Sequence, residues 1–79
     1  MTKYNNPVKV KCWEKYLKEL GCDFIRIKSS HHHWKCPNCL RTITFWGSSK
    51  EIPRFQINTN LNSLGINKKD FNNWLDANC

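Results

Sequence analysis

The chain has 79 residues, a mass of 9.4 kDa and a net charge of +7, and a domain of this size buries too little surface to enclose a cofactor-sized cavity, which excludes a large multi-part enzyme. The charge excess is confined to residues 1–50, which hold ten of the thirteen Lys and Arg against three acids, so a polyanion such as nucleic acid, or an acidic protein, is the expected partner. No apolar run is long enough to span a membrane and Met1 to Asn6 lack the apolar core of a signal peptide, so the chain reads as a soluble, cytoplasmic domain over residues 1–79 with no membrane role.

Val10, Trp13, Leu17 and Leu20 recur at steps of three and four residues. They predict a first helix from about residue 8 or 10 to Leu20, with Gly21 as its left-handed C-cap. Phe24-Ile25-Arg26-Ile27-Lys28 alternates as a half-buried strand does, and Ser29-Ser30 makes the turn. A second strand runs from His31 to Cys36, Pro37-Asn38 form a tight turn, and Leu40 to Trp46 form a third strand, giving an antiparallel meander. Pro53 opens a second helix that carries Ile57, Leu61 and Leu64 on one face, is weakened by Asn58, Asn60 and Asn62, and ends at Gly65. Asn67 caps a short third helix, with Ile66 and Phe71 as a hydrophobic staple around acidic Asp70. The resulting class is α+β.

The five cysteines, Cys12, Cys22, Cys36, Cys39 and Cys79, form an odd set, and reduced thiols are the simpler expectation. Cys36-Pro-Asn-Cys39 has the spacing of a zinc knuckle but no second ligand pair accompanies it. Cys36 and Cys39 are therefore expected to frame a hairpin turn and hold no metal, and no cofactor is expected.

The segment from Arg26 to Lys35 gathers imidazoles, cations, hydroxyls and an aromatic face within ten residues. A histidine near neutrality can move the protons of RNA cleavage by the 2′-hydroxyl, and cations can steady charge on the phosphorane, with no metal required. Strand alternation puts His32, Trp34 and Cys36 on one side of the sheet and His31, His33 and Lys35 on the other. Arg26, Lys28, Lys35 and Arg41 are expected to align as a phosphate-binding strip, with Trp34 or Trp46 available for base stacking.

Three pieces in order carry a family resemblance: Leu17-Lys-Glu-Leu20-Gly21 leading into Phe24-Ile-Arg26; Lys28-Ser-Ser-His-His-His-Trp34; and Lys50-Glu51-Ile52-Pro53 before a helix ending Leu64-Gly65-Ile66. Over roughly residues 8 to 72 the chain resembles the HicA-type (YcfA-like) mRNA interferases, the toxin half of type II toxin–antitoxin pairs. The resemblance implies a fold like the double-stranded-RNA-binding domain, α-β-β-β-α, with a three-stranded antiparallel sheet on two helices. It also implies metal-independent cleavage of mRNA and a HicB-like antitoxin as partner. The family's Gly-Ser-x-His pattern carries onto Ser29, Ser30, His31 and His32. It makes His32 the implied catalytic residue with His31 in reserve, while Arg26, Lys28, Ser30, Lys35, Arg41 and Trp34 are the expected RNA contacts. Serine stands at Ser29 where the pattern has glycine, so a turn requiring φ > 0 is strained there. A non-catalytic RNA-binding module of the same fold and a small zinc-binding interaction domain are the alternative functions.

Overall fold

A computed structural model of the chain describes residues 6–37 and 39–79. The elements run β1 (Val8–Lys9), α1 (Val10–Glu19), β2 (Asp23–Lys28), β3 (His31–Lys35), β4 (Ile43–Trp46), β5 (Glu51–Ile52), α2 (Arg54–Leu64) and α3 (Lys68–Asn78). Strands β2, β3 and β4 form the antiparallel meander expected, in the order β2-β3-β4, and the chain is α+β with the α-β-β-β-α core of a double-stranded-RNA-binding domain plus a C-terminal helix. A second, two-stranded antiparallel ribbon joins β1 to β5 through Val8–Ile52 and Lys9–Glu51. It ties the start of α1 to the start of α2.

The helices end where local chemistry stops them. Gly21 and Gly65 take the left-handed conformation after α1 and α2, at φ 86° and 72°, where a Cβ would be penalised. Asn67 caps α3 by accepting from the Lys69 N–H at 2.7 Å, which satisfies one of the donors left open at a helix start. The core lies between sheet and helices, where Trp13, Leu17, Ile43, Phe45, Ile52, Ile57, Leu61 and Phe71 are essentially fully buried. Asn60, expected to weaken α2, is buried and donates from Nδ2 to the Thr44 carbonyl at 3.0 Å, so it fastens α2 to β4.

Two expectations about the strands change. β2 is not half-buried: Phe24, Ile25 and Ile27 are 50%, 44% and 55% exposed, because β2 is an edge strand that overhangs the helix layer. The third strand starts at Ile43, and Leu40 and Arg41 belong to the connection before it, with Leu40 fully exposed. Asn38 of the expected Pro37-Asn38 turn lies outside the described residues.

The cysteines are not all reduced. Cys12 pairs with Cys79 and Cys22 with Cys36, leaving Cys39 as a buried free thiol. The odd count excluded only complete pairing. Cys22 follows the end of α1 and Cys36 the end of β3, and the register that sets Asp23 opposite Lys35 brings them together. Cys36 and Cys39 therefore do not act as a pair. Cys39 donates instead to the carbonyls of Arg41 and Ser63, at 3.2 and 3.5 Å. Among the described residues no group of three or more His, Cys, Asp or Glu is placed to hold a metal ion, and no helix is long and apolar enough to cross a membrane.

Candidate nucleic-acid interface

In a two-layer α+β domain one face of the sheet packs on helices and the other meets solvent. Side chains alternate along a strand and cross-strand partners share a face, so the pairing assigns each residue to a side. Trp34 pairs with Phe24 and Ile43, and His32 with Ile27 and Phe45, on the helix side. His31 pairs with Lys28 and Trp46, and His33 with Arg26 and Thr44, on the open side.

A β-bulge between Phe24 and Arg26 makes this possible. Without an extra residue, Phe24, Arg26 and Lys28 would share one face; with Ile25 absorbed in the bulge, Phe24 turns inward and both cations turn outward. The doubled apolar pair Phe24-Ile25 is its sequence trace.

The open face thus carries two cross-strand rows, Lys28–His31–Trp46 and Arg26–His33–Thr44. In the first, the Trp46 Nε1–H donates to His31 Nε2 at 2.9 Å, so that nitrogen holds a lone pair. In the second, His33 Nδ1 and Thr44 Oγ1 lie 3.2 Å apart. The His33 pKa is lowered from its ordinary value, first by desolvation and then by the positive charge of Arg26 and of its other basic neighbours. The shift favours the neutral form of its imidazole.

His32, the implied catalytic residue, lies elsewhere. Its ring packs near Phe24 and Phe45, at centroid distances of 6.3 and 5.7 Å, with Nδ1 3.6 Å from Glu14 Oε2. Gly47 leaves room for that ring, since a Cβ there would come within 2.3 Å of it. The structure does not bring His32 together with Arg26, Lys28 or Lys35, which are on the opposite face. It brings Lys28 to His31, the reserve residue, and Arg26 to His33.

Trp34 is buried, so it offers no face to a base. Arg41 leaves the strip because it lies in the connection before β4. Lys35 shares the open face, but its Nζ donates to the Cys39 carbonyl at 2.7 Å. Ser30 sits in the β2–β3 turn beside the site, and its carbonyl accepts from the Gly47 N–H at 3.2 Å. Of the expected contacts, Arg26, Lys28 and Ser30 stay with the accessible histidines.

The family model described as "HicA toxin of bacterial toxin-antitoxin" matches residues 13–66. The chain belongs to the HicA toxin family. No curated protein and no solved structure matches it. As a HicA toxin it is one half of a toxin–antitoxin pair, with an antitoxin as partner. The HicA match begins within α1, takes in β2, β3, β4 and α2, and leaves α3 outside.

The sequence gives His33 and Thr44 no role of their own, and says nothing of Phe55, which stands in the first turn of α2 beside Trp46. Alternation already set His31 and His33 on one side, which was the available signal. Phe55 has no such signal, because an exposed aromatic at the start of α2 acquires neighbours only when α2 docks on β4.

Proposed function

We propose that this HicA toxin is a metal-independent, cytoplasmic mRNA endonuclease, formed as a single domain over residues 1–79 and neutralised by a HicB-like antitoxin. The observation that carries the reading is the gathering of His31, His33, Arg26 and Lys28 on one solvent-facing side of the sheet. Two imidazoles two residues apart on one strand face lie about 6.5 Å apart along the strand, so both reach a phosphodiester set between them. Neutral His33 takes the 2′-hydroxyl proton, and the 2′-oxygen attacks phosphorus. His31, once protonated at Nε2, releases the Trp46 N–H and gives that proton to the leaving 5′-oxygen. The P–O5′ bond breaks and a 2′,3′-cyclic phosphate remains, while Arg26 and Lys28 offset charge on the phosphorane.

The test is cleavage of a synthetic RNA in EDTA by three chains. His31→Ala should lose about 10²- to 10⁴-fold in rate with its thermal transition unchanged. His32→Ala should cleave RNA but melt earlier, because its ring fills space between sheet and α1. A 2′-deoxy substitution at the scissile nucleotide should block all cleavage. An active His31→Ala chain, with a well-folded but inactive His32→Ala chain, would return the role to His32. An RNA-binding chain that never cleaves would leave a non-catalytic module.

A further inference from the structure

The row Lys28–His31–Trp46 does not stop at the sheet edge. Phe55, in the first turn of α2, stands beside Trp46 with ring centroids 6.2 Å apart and planes at 90°. Both rings are open to solvent, Trp46 at 42% and Phe55 at 64% exposure. The other three tryptophans are buried or half-buried. Trp46 is also held at two points. Its indole N–H is bonded to His31, and its backbone N–H donates to Gln56 Oε1 at 2.9 Å, which sets the Gln56 amide beside this strand position.

We infer that Trp46 and Phe55 form a corner that receives one unpaired nucleobase of a single-stranded RNA substrate, next to the phosphate held by Lys28 and Arg26. This rests on the reading of the open face as a ribonuclease site and specifies its substrate. Three adjacent strand positions place Lys28 and Trp46 about 9–10 Å apart across the sheet, with His31 between them. Phosphate, ribose and base of one nucleotide follow that order. An exposed aromatic beside cations suits a nucleobase, whose π-face stacks on the ring while its phosphate answers the charge. A base inside a duplex has both faces covered by its neighbours, so the corner selects unpaired RNA. Stacking tolerates any base, and the Gln56 amide supplies the hydrogen-bonding group that reads its edge.

The test uses a short 2′-O-methyl oligonucleotide, which binds but cannot be cleaved, with affinity read by fluorescence anisotropy. Phe55→Ala should weaken binding about 5- to 150-fold, the range for losing one base–aromatic stack. Phe55 is exposed, so its thermal transition should not move. Moving an abasic site along the oligonucleotide should reveal one position where the wild-type chain loses the same factor and Phe55→Ala loses nothing more. Annealing the complementary strand should abolish the difference between the two chains. Cleavage and binding by the wild-type chain with Phe55→Ala unchanged would overturn the corner and leave the ribonuclease reading standing. No binding and no cleavage of the 2′-hydroxyl oligonucleotide by the wild-type chain would bring down both. Unchanged RNA affinity with loss of neutralisation by a co-expressed antitoxin would give the corner to a protein partner, and would also overturn the proposal.

Discussion

Ser29 takes φ 56°, the single positive φ at a non-glycine position among the described residues. Lys28 and His31 are paired on either side, so Ser29 and Ser30 form a two-residue hairpin turn. Positive φ at its first central position alone has the sign pattern of a II′ turn, where glycine is preferred. A left-handed L-residue costs roughly 1–2 kcal/mol, of which glycine's extra unfolded-state freedom returns part. Ser29→Gly should therefore stabilise the chain by up to about 1 kcal/mol in urea denaturation. It should do so without lowering cleavage, since the turn already holds the geometry that the glycine of the HicA-type pattern would adopt freely. Destabilisation by Ser29→Gly would mean that the serine hydroxyl, not the backbone, sets this turn.

At the scale of elements, α3 lies outside the family match, yet rings, a hydrogen bond and a disulfide tie it to α1. Phe71 packs edge-on against Trp13 and Tyr16, with centroids 5.3 and 4.8 Å away, and Trp74 lies 4.8 Å from Tyr16 and donates to Glu19 at 3.0 Å. The Cys12–Cys79 disulfide then closes a loop of 67 residues between α1 and the end of α3. A cross-link over so long a loop restricts the unfolded chain strongly, and removing it costs about 2–4 kcal/mol. Cys79→Ser should lower the thermal transition by several degrees while RNA cleavage persists, because the open face of the sheet lies across the molecule from α3. A thiol titration of the native, unreduced chain should find Cys39 unreactive until denaturant exposes it, and then one thiol per chain. Three thiols under those conditions would show that one bridge is missing in solution, and five that neither forms.

The helices were legible because each carries a spacing and a stop signal: Trp13 and Leu17 before Gly21, Ile57 and Leu61 before Gly65, and Asn67 before Phe71. β1 and β5 were not, since a strand of two residues has no period to read. Alternation gave the faces of β3 correctly but could not say that β2 would be left uncovered, which depends on where the helices sit. The same limit explains the site. A shared motif pointed to His32 by position, whereas accessibility is decided by the sheet's packed side, and the bulge at Ile25 decides which side the cations take. Trp46 and Phe55 meet only through the docking of α2.

For the whole molecule, the basic excess divides between two surfaces. The dimensions of 33 × 27 × 19 Å describe a flat two-layer body, with Arg26 and Lys28 on the sheet side and Lys11, Lys15 and Lys18 exposed along α1 on the helix side. Among the described residues only the sheet side joins cations to histidines and exposed aromatics. Each phosphate neutralised on a single strand releases counterions, and log K falls with log salt by about 0.7 per contact. Replacing Arg26 and Lys28 by glutamine should therefore flatten the salt slope for the uncleavable oligonucleotide by about 1.4. Glutamine at Lys11 and Lys15, or at Lys68 and Lys69 in the charge-balanced C-terminal part, should change it little. Lys35→Gln should have a smaller effect than Lys28→Gln, because its ammonium is committed to the Cys39 carbonyl. Equal flattening by the α1 pair would mean that RNA crosses the helix layer, and the histidine face would then lose its claim to the scissile phosphate.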